Sequence, residues 1–178
     1  MVDTMVAVKD LTVRFGSFEA VRHLSFSVGR GEIFGFLGAN GAGKTTTIRV
    51  LCGLLVPSSG SVEIAGLNFS NGTLAIKRKV GYMSQKFTLY DDLTVKENLT
   101  FAGQLRKLGK ETLARRSQEL LNFISFDRSV DSLVKDLPGG IKQQVSLAAA
   151  LLHEPDVVFL DEPTAGVTPA FRARFWAL

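Results

Sequence analysis

The stretch Ile33-Phe34-Gly35-Phe36-Leu37-Gly38-Ala39-Asn40-Gly41-Ala42-Gly43-Lys44-Thr45-Thr46 decides how the rest of the chain is read. Its first five residues form a short apolar run, which predicts a strand buried on both faces. Gly38 to Thr45 fits the pattern G-x-x-x-x-G-K-[ST]. A helical pattern follows from Lys44 through Ile48, Val50 and Leu51. The glycines let the backbone curl so that several amides point inward at phosphate oxygens. The helix N-terminus adds its partial positive charge. Lys44 then reaches the terminal phosphates as a point charge, and the Thr45 hydroxyl suits Mg²⁺, a hard cation that prefers oxygen. An ordinary glycine-rich turn would not need a buried strand before it and a helix after it.

On the N-terminal side, Val6, Val8, Leu11 and Val13 sit among polar residues and Val21 to Val28 roughly alternates, so both segments are expected as half-buried strands. On the C-terminal side, Ser61 to Ala65 reads as a strand, Leu74 to Lys79 as a helix and Val80 to Met83 as a strand. From Thr94 to about Ser125 the pattern is helical. Thr94-Val95-Lys96-Glu97 is a capping-box sequence, and Gly109 is expected as a C-cap between two helices. Leu99, Leu105, Leu113, Leu120 and Leu121 supply apolar positions there. Arg106, Lys107, Lys110, Arg115 and Arg116 read as a solvated face, since no aromatic set interleaves them to stack bases. Pro138-Gly139-Gly140 opens another helix, which Pro155 stops. Val157 to Leu160 predicts a buried strand delivering Asp161 and Glu162 to its C-terminal end, where open α/β sheets bind ligands. One carboxylate can hold Mg²⁺ through water while the next polarises an attacking water. Thr168-Pro169 is expected to cap and start a last helix. Strands alternating with helices imply an α/β domain with a mainly parallel sheet, into which the helical middle is inserted.

Composition sets outer limits. The chain has 178 residues, 46% hydrophobic and 21% charged, which is globular usage. The net charge of +4 permits an acidic partner without requiring one. The single cysteine, Cys52, excludes an internal disulfide framework. No apolar run reaches the length of a membrane-spanning helix, and the first residues lack the basic segment of a signal peptide.

Taken in order, these motifs resemble the nucleotide-binding domain of ATP-binding cassette (ABC) proteins. Gly38 to Thr46 matches the Walker A loop, and Val157 to Glu162 matches Walker B with its catalytic glutamate. Gly81-Tyr82-Met83-Ser84-Gln85 matches the Q-loop. Leu137-Pro138-Gly139-Gly140-Ile141-Lys142-Gln143-Gln144 is similar to the signature, normally L-S-G-G-x-x-Q-R. Phe15 stands where the family places a ring against adenine, and Pro163 to Pro169 resembles the D-loop. The resemblance implies an α/β fold: a P-loop NTPase (RecA-like) core with an N-terminal antiparallel β region and an inserted α-helical subdomain. It places the core at about 1–85 and 155–178 and the helical subdomain at about 86–154. It implies ATP and Mg²⁺ as cofactors. The nucleotide would be bound by Phe15, Gly38, Asn40, Gly41, Gly43, Lys44, Thr45 and Thr46. Pro138, Gly139, Gly140 and Thr168 would meet a partner domain's nucleotide. Thr45, Gln85 and Asp161 would attend the metal, and Glu162, Lys44 and Gln85 catalysis. The implied partners are a second nucleotide-binding domain, head to tail, and a membrane-spanning permease subunit at the cytoplasmic face, with no nucleic acid. Gly81 to Leu99 and Phe159 to Trp176 are most similar to ATPases of ABC-2-type exporters.

Three positions break the family pattern. Pro138 replaces the usual serine, removing a hydroxyl and a backbone donor. Thr168 replaces the D-loop aspartate, and Gln144 replaces arginine. Because the signature acts in trans, Pro138 would weaken the partner's site and leave this chain's own Walker residues unaffected. The family also places a histidine after a further strand, beyond Leu178, so the chain reads as part of a longer one. That strand lies between the Walker A and Walker B strands, and without it an apolar face should stay open. The alternatives are a soluble non-transport ABC ATPase and a hydrolysis-impaired nucleotide-binding domain.

Overall fold

A computed structural model describes residues 4–39, 41–85, 88–164, 169, 172 and 173. They form two units, Met1–Gly81 and Tyr82–Leu178.

In the first unit, β1 (Thr4–Phe15) and β2 (Phe18–Gly29) make an antiparallel hairpin, and β3 (Ser59–Ile64) and β4 (Leu67–Asn68) extend it in the order β2-β1-β3-β4. The buried positions of β1 change parity, from Val6 and Val8 to Leu11 and Val13. A period-two strand can do this only by inserting a residue. Asp10 is that residue, in left-handed backbone at φ 53°, and His23 opposite it on β2 restores the register at φ 45°. Their amides are satisfied by hydroxyls: Asp10 N–H donates to Ser25 Oγ and His23 N–H to Thr12 Oγ1. The His23 ring pairs with the Asp10 carboxylate at 2.7 Å, a role the sequence did not signal.

α1 (Lys44–Leu51) and α2 (Thr73–Lys79) belong to the same unit. α1 buries Ile48, Val50 and Leu51 and closes at Gly53, whose φ of 65° only glycine adopts readily. There Leu54 N–H donates to Arg49 C=O and Gly53 N–H to Val50 C=O, the paired bonds of a Schellman stop. The run Ile33–Leu37 departs from expectation: it is not a strand and is not buried on both faces. Phe34 and Phe36 form an aromatic trio with Phe26 of β2, at centroid distances of 5.1 and 5.4 Å. Ile33 and Leu37, alternating with them, are 97% and 95% exposed. A strand needs a hydrogen-bonded neighbour on an edge, and among the described residues this segment has none.

In the second unit, α3 (Val95–Leu105), α4 (Lys110–Phe123) and α5 (Gly139–Leu151) surround a core of Val95, Leu99, Leu120, Leu121, Ile124, Val134, Val145 and Leu152. The capping box forms as read: Glu97 N–H donates to Thr94 Oγ1, and Thr94 N–H donates to Glu97 Oε2. Gly109 is not a C-cap but the N-cap of α4, in extended backbone. Lys107, at φ 59°, takes the left-handed stop instead, with Leu108 N–H donating to Gly103 C=O. The stop comes earlier because Leu108 packs onto the core. Leu105, expected as an apolar contact, is exposed. Arg116 is not a solvated charge: it pairs with Glu119 on its own helix and bridges α4 to the end of α5 through Glu154 and the Leu151 carbonyl.

β5 (Val80–Met83) and β6 (Val157–Leu160) pair in a separate two-stranded sheet. The four-stranded sheet is antiparallel, so the mainly parallel sheet expected from the alternation is not what the described residues show there. β6 is only partly buried, with Val158 38% exposed, because its own sheet has two strands where burial of both faces needs covering layers.

Candidate functional site

The phosphate loop lies in the first unit. Gly43 is the N-cap of α1, in left-handed backbone at φ 82°. A Cβ there would lie 2.4 Å from the Ala20 carbonyl oxygen of β2, so the loop-to-helix turn is held against the hairpin by the absence of a side chain. Gly41, at φ 83°, supplies a second left-handed residue. Between them Ala42 N–H donates to Ala39 C=O. The Lys44 ammonium turns back into the loop and donates to the carbonyls of Gly38 at 2.7 Å and Ala39 at 2.9 Å. The cation thus sits inside the curl of backbone, at a helix start with no acidic residue in its first turn. That is an arrangement for an anion. Thr45 and Thr46 are half-buried in the same turn. Asn40 lies outside the described residues. Phe15, at the end of β1 opposite Phe18, keeps an exposed ring, as a stacking role requires.

The second unit carries the carboxylates. Asp161 follows β6 and is nearly buried, at 4% exposure. Its N–H donates to the Met83 carbonyl at 2.9 Å, which ties the ends of β5 and β6 together. The Tyr82 hydroxyl approaches the Asp161 carboxylate at 3.5 Å, the outer limit of a hydrogen bond. Glu162 is exposed and stands in left-handed backbone at φ 51°. A non-glycine residue there costs about 1–3 kcal/mol, which the surrounding structure must supply. Gln85, two residues past β5, donates from Nε2 to Glu162 Oε2 at 2.8 Å. The strand ends therefore place Gln85 against Glu162, next to Asp161. Tyr82 escaped the sequence reading, since a tyrosine inside an apolar strand is read as core.

The residues that the family resemblance implies for a metal, Thr45, Asp161 and Gln85, each offer an oxygen donor. They match Mg²⁺, which takes few protein ligands and completes its shell with phosphate and water. Among the described residues no three His, Cys, Asp or Glu side chains gather into a metal cage.

The signature segment starts α5. Pro138 is its N-cap rather than its first helical residue, and makes no side-chain capping bond. Pro138 and Gly139 are exposed and Gly140 is half-buried. No acid lies in the first turn. Gln144, further along, is fully buried, and its amide nitrogen and oxygen have no hydrogen-bond partner among the described residues. Asn98 was missed: buried on α3, it accepts from Tyr90 N–H and donates to the Tyr90 and Thr94 carbonyls, fixing the loop that follows the Gln85 segment. Thr168 and the rest of the D-loop from Ala165 to Thr168 lie outside the described residues.

The glycine-rich loop opening a helix and the paired carboxylates closing a strand define a P-loop NTPase fold. The ABC transporter family model matches residues 21–165, and the chain belongs to that family. It is 42% identical over 174 residues to the "Probable multidrug ABC transporter ATP-binding protein YbhF" of Escherichia coli K12, covering 98% of this chain and 30% of that protein. It is 38% identical to the "Daunorubicin resistance ATP-binding protein DrrA3" of Streptomyces coeruleorubidus, covering 99% and 56%. It is 40% identical to the "Bacitracin transport ATP-binding protein BcrA" of Bacillus licheniformis, covering 93% and 53%. The chain therefore spans less than a third of the first relative and about half of the other two. Among solved structures, an "ATP binding subunit of ABC transporter" superposes with TM-score 0.85 at 32% identity, covering 98% of this chain and 72% of that one. The cbiO1 protein of Clostridium perfringens, described as part of the cbiONQ transporter complex, superposes with TM-score 0.87 at 26% identity over the same shares.

Proposed function

We propose that this chain is the ATP-binding and ATP-hydrolysing unit of an ABC exporter. The observation that carries the reading is the Lys44 ammonium enclosed by its own glycine loop at the start of α1. Lys44 and the loop amides hold the β- and γ-phosphates, and the Phe15 ring stacks on the base. Mg²⁺, when bound with the nucleotide, neutralises phosphate charge. Thr45, Asp161 and the Gln85 amide oxygen are the residues that would hold it. Glu162 orients and polarises the attacking water, the positioning work that phosphoryl transfer requires.

A second copy or a related domain supplies the opposing signature. Gly139 and Gly140 present amides at the start of α5 to the partner's γ-phosphate, with Thr168 facing the same partner. A ligand that contacts both halves favours the closed pair, which is how binding becomes motion. In this reading residues 86–154 form the helical subdomain. The unit works at the cytoplasmic face through a separate permease segment, a reading supported by relatives named as transport ATP-binding proteins. Membership of the ABC transporter family, and relatives named for multidrug, bacitracin and daunorubicin proteins, support export.

The test is turnover and nucleotide binding in Glu162→Gln, measured on the full-length protein. Retained MgATP binding with hydrolysis reduced about 100-fold or more supports the assignment. Hydrolysis at the wild-type rate ends it. Pro138→Ser probes the same machinery from the other side. It should raise turnover several-fold in a homodimer, since it restores a hydroxyl beside the partner's γ-phosphate, and an unchanged rate removes Pro138 from the account.

A further inference from the structure

We propose that Gln85 is a positioning residue for Glu162, acting through the N–H end of its amide, and is not only an oxygen donor to the metal. This rests on the ATPase reading above. Among the described residues Gln85 is the hydrogen-bond partner of Glu162, with Nε2 2.8 Å from Oε2. Glu162 needs one. Its side chain is exposed, and its backbone is held at φ 51°, outside the strand and helix regions. An exposed glutamate has several rotatable bonds, and a water-orienting carboxylate must occupy one geometry. The backbone supplies the fixed base for that geometry. Asp161 N–H bonds to the Met83 carbonyl, so the strand ends cannot slide past each other. Gln85 lies two residues beyond that bond and Glu162 one residue beyond it, which brings the two side chains tip to tip.

The amide is planar, so its two ends are not independent. With Nε2 engaged by Glu162, the direction of Oε1 is set by the same plane. A ligand drawing on Oε1 is thereby felt at the Glu162 carboxylate. Gln85 thus joins the metal-facing side of the site to the water-facing side through one rigid group. A carboxylate in its place would offer an oxygen to the metal and no donor to Glu162.

That difference makes the inference testable. In the full-length protein, kcat, KM and the Mg²⁺ concentration for half-maximal turnover are measured for Gln85→Glu, Gln85→Ala, Glu162→Ala and the Gln85→Ala/Glu162→Ala pair. Positioning predicts that Gln85→Glu lowers kcat by about 10- to 100-fold, as far as Gln85→Ala does. KM and the Mg²⁺ half-point should stay within about threefold for Gln85→Glu. In the Glu162→Ala background, Gln85→Ala should lower the residual rate far less than it lowers the wild-type rate, since coupled residues are not additive. If Gln85→Glu keeps most of kcat, or the two alanine effects multiply, Gln85 acts on the metal alone and the inference is overturned. If Glu162→Ala itself hydrolyses ATP normally, the ATPase assignment falls and takes this inference with it.

Discussion

Leu37 ends an apolar run and Leu99 sits among polar and charged residues, yet Leu99 is 2% exposed and Leu37 is 95% exposed. The difference lies in how each segment satisfies its backbone. Leu99 is on α3, where every turn bonds to the turn before it, so only side-chain partners are needed. Those come from α4, α5 and Ile124 within the same unit. The run Ile33–Leu37 is neither helix nor strand, so its amides and carbonyls must find partners outside the segment. Its one covered face rests on Phe26 through Phe34 and Phe36. Burial in this protein follows hydrogen-bond supply as much as hydrophobicity.

Truncation at the two leucines should separate these regions most strongly. Leu99→Ala removes a fully packed side chain and should lower the unfolding free energy by about 2–5 kcal/mol in a denaturant titration. Leu37→Ala in this 178-residue chain should change it by less than about 0.5 kcal/mol, the usual range for a surface substitution. Equal losses would show that the run is buried after all and would erase the contrast.

The same distinction explains what could be read from residues alone. The Thr94-x-x-Glu97 capping box, the three helices of the second unit and the loop ending in Gly43-Lys44 are local patterns, and each stands where its spacing put it. Misreadings occurred where a distant or competing group decides. Gly109 lost the helix stop to Lys107 because Leu108 had a core to join. Ile33–Leu37 and Val157–Leu160 were read as buried from composition, which carries no information about strand neighbours. Tyr82, Asn98 and Arg116 were missed because each acts on a partner remote in sequence or on a backbone group. At the site itself, residue types and order were legible. The bond between Gln85 and Glu162, 77 positions apart, was not.

Asn98 offers a sharper cut inside the well-buried region. Its amide satisfies Tyr90 N–H and the Tyr90 and Thr94 carbonyls. Asn98→Ala should cost about 1–3 kcal/mol, the penalty for leaving buried polar groups unpaired. Asn98→Asp keeps the acceptor for Tyr90 N–H and should recover part of it. A loss as large as that of Leu99→Ala would mean that polar satisfaction, not packing, dominates this core.

Gln144 tests the converse, a buried polar group without partners. Replacing it with methionine keeps the length and removes an amide whose nitrogen and oxygen are both unsatisfied among the described residues. Gln144→Met should raise the unfolding free energy by about 1 kcal/mol. A destabilised variant would show that the amide is in fact bonded and that the polar position is structural.

The smallest expected effect is the pH response of the α3 cap. The Thr94 backbone N–H, and after it the Thr94 hydroxyl, hold the Glu97 carboxyl below the ordinary carboxylate range. A carboxyl with a depressed folded value contributes stability above its unfolded value and loses that contribution as pH falls through the folded value. Amide hydrogen exchange in the first turn of α3 should therefore lose protection in acid, below the usual carboxylate range, and hold it at neutral pH. Glu97→Gln keeps an acceptor for Thr94 N–H but cannot be protonated in this range, so its protection should be flat with pH. The core amides near Leu99 should stay protected where the cap frays, because their bonds rest on packing and not on a charge. If fraying of the cap opens the Leu99 amides at the same pH, the helical core depends on its terminus, and the contrast with Ile33–Leu37 narrows to one of degree.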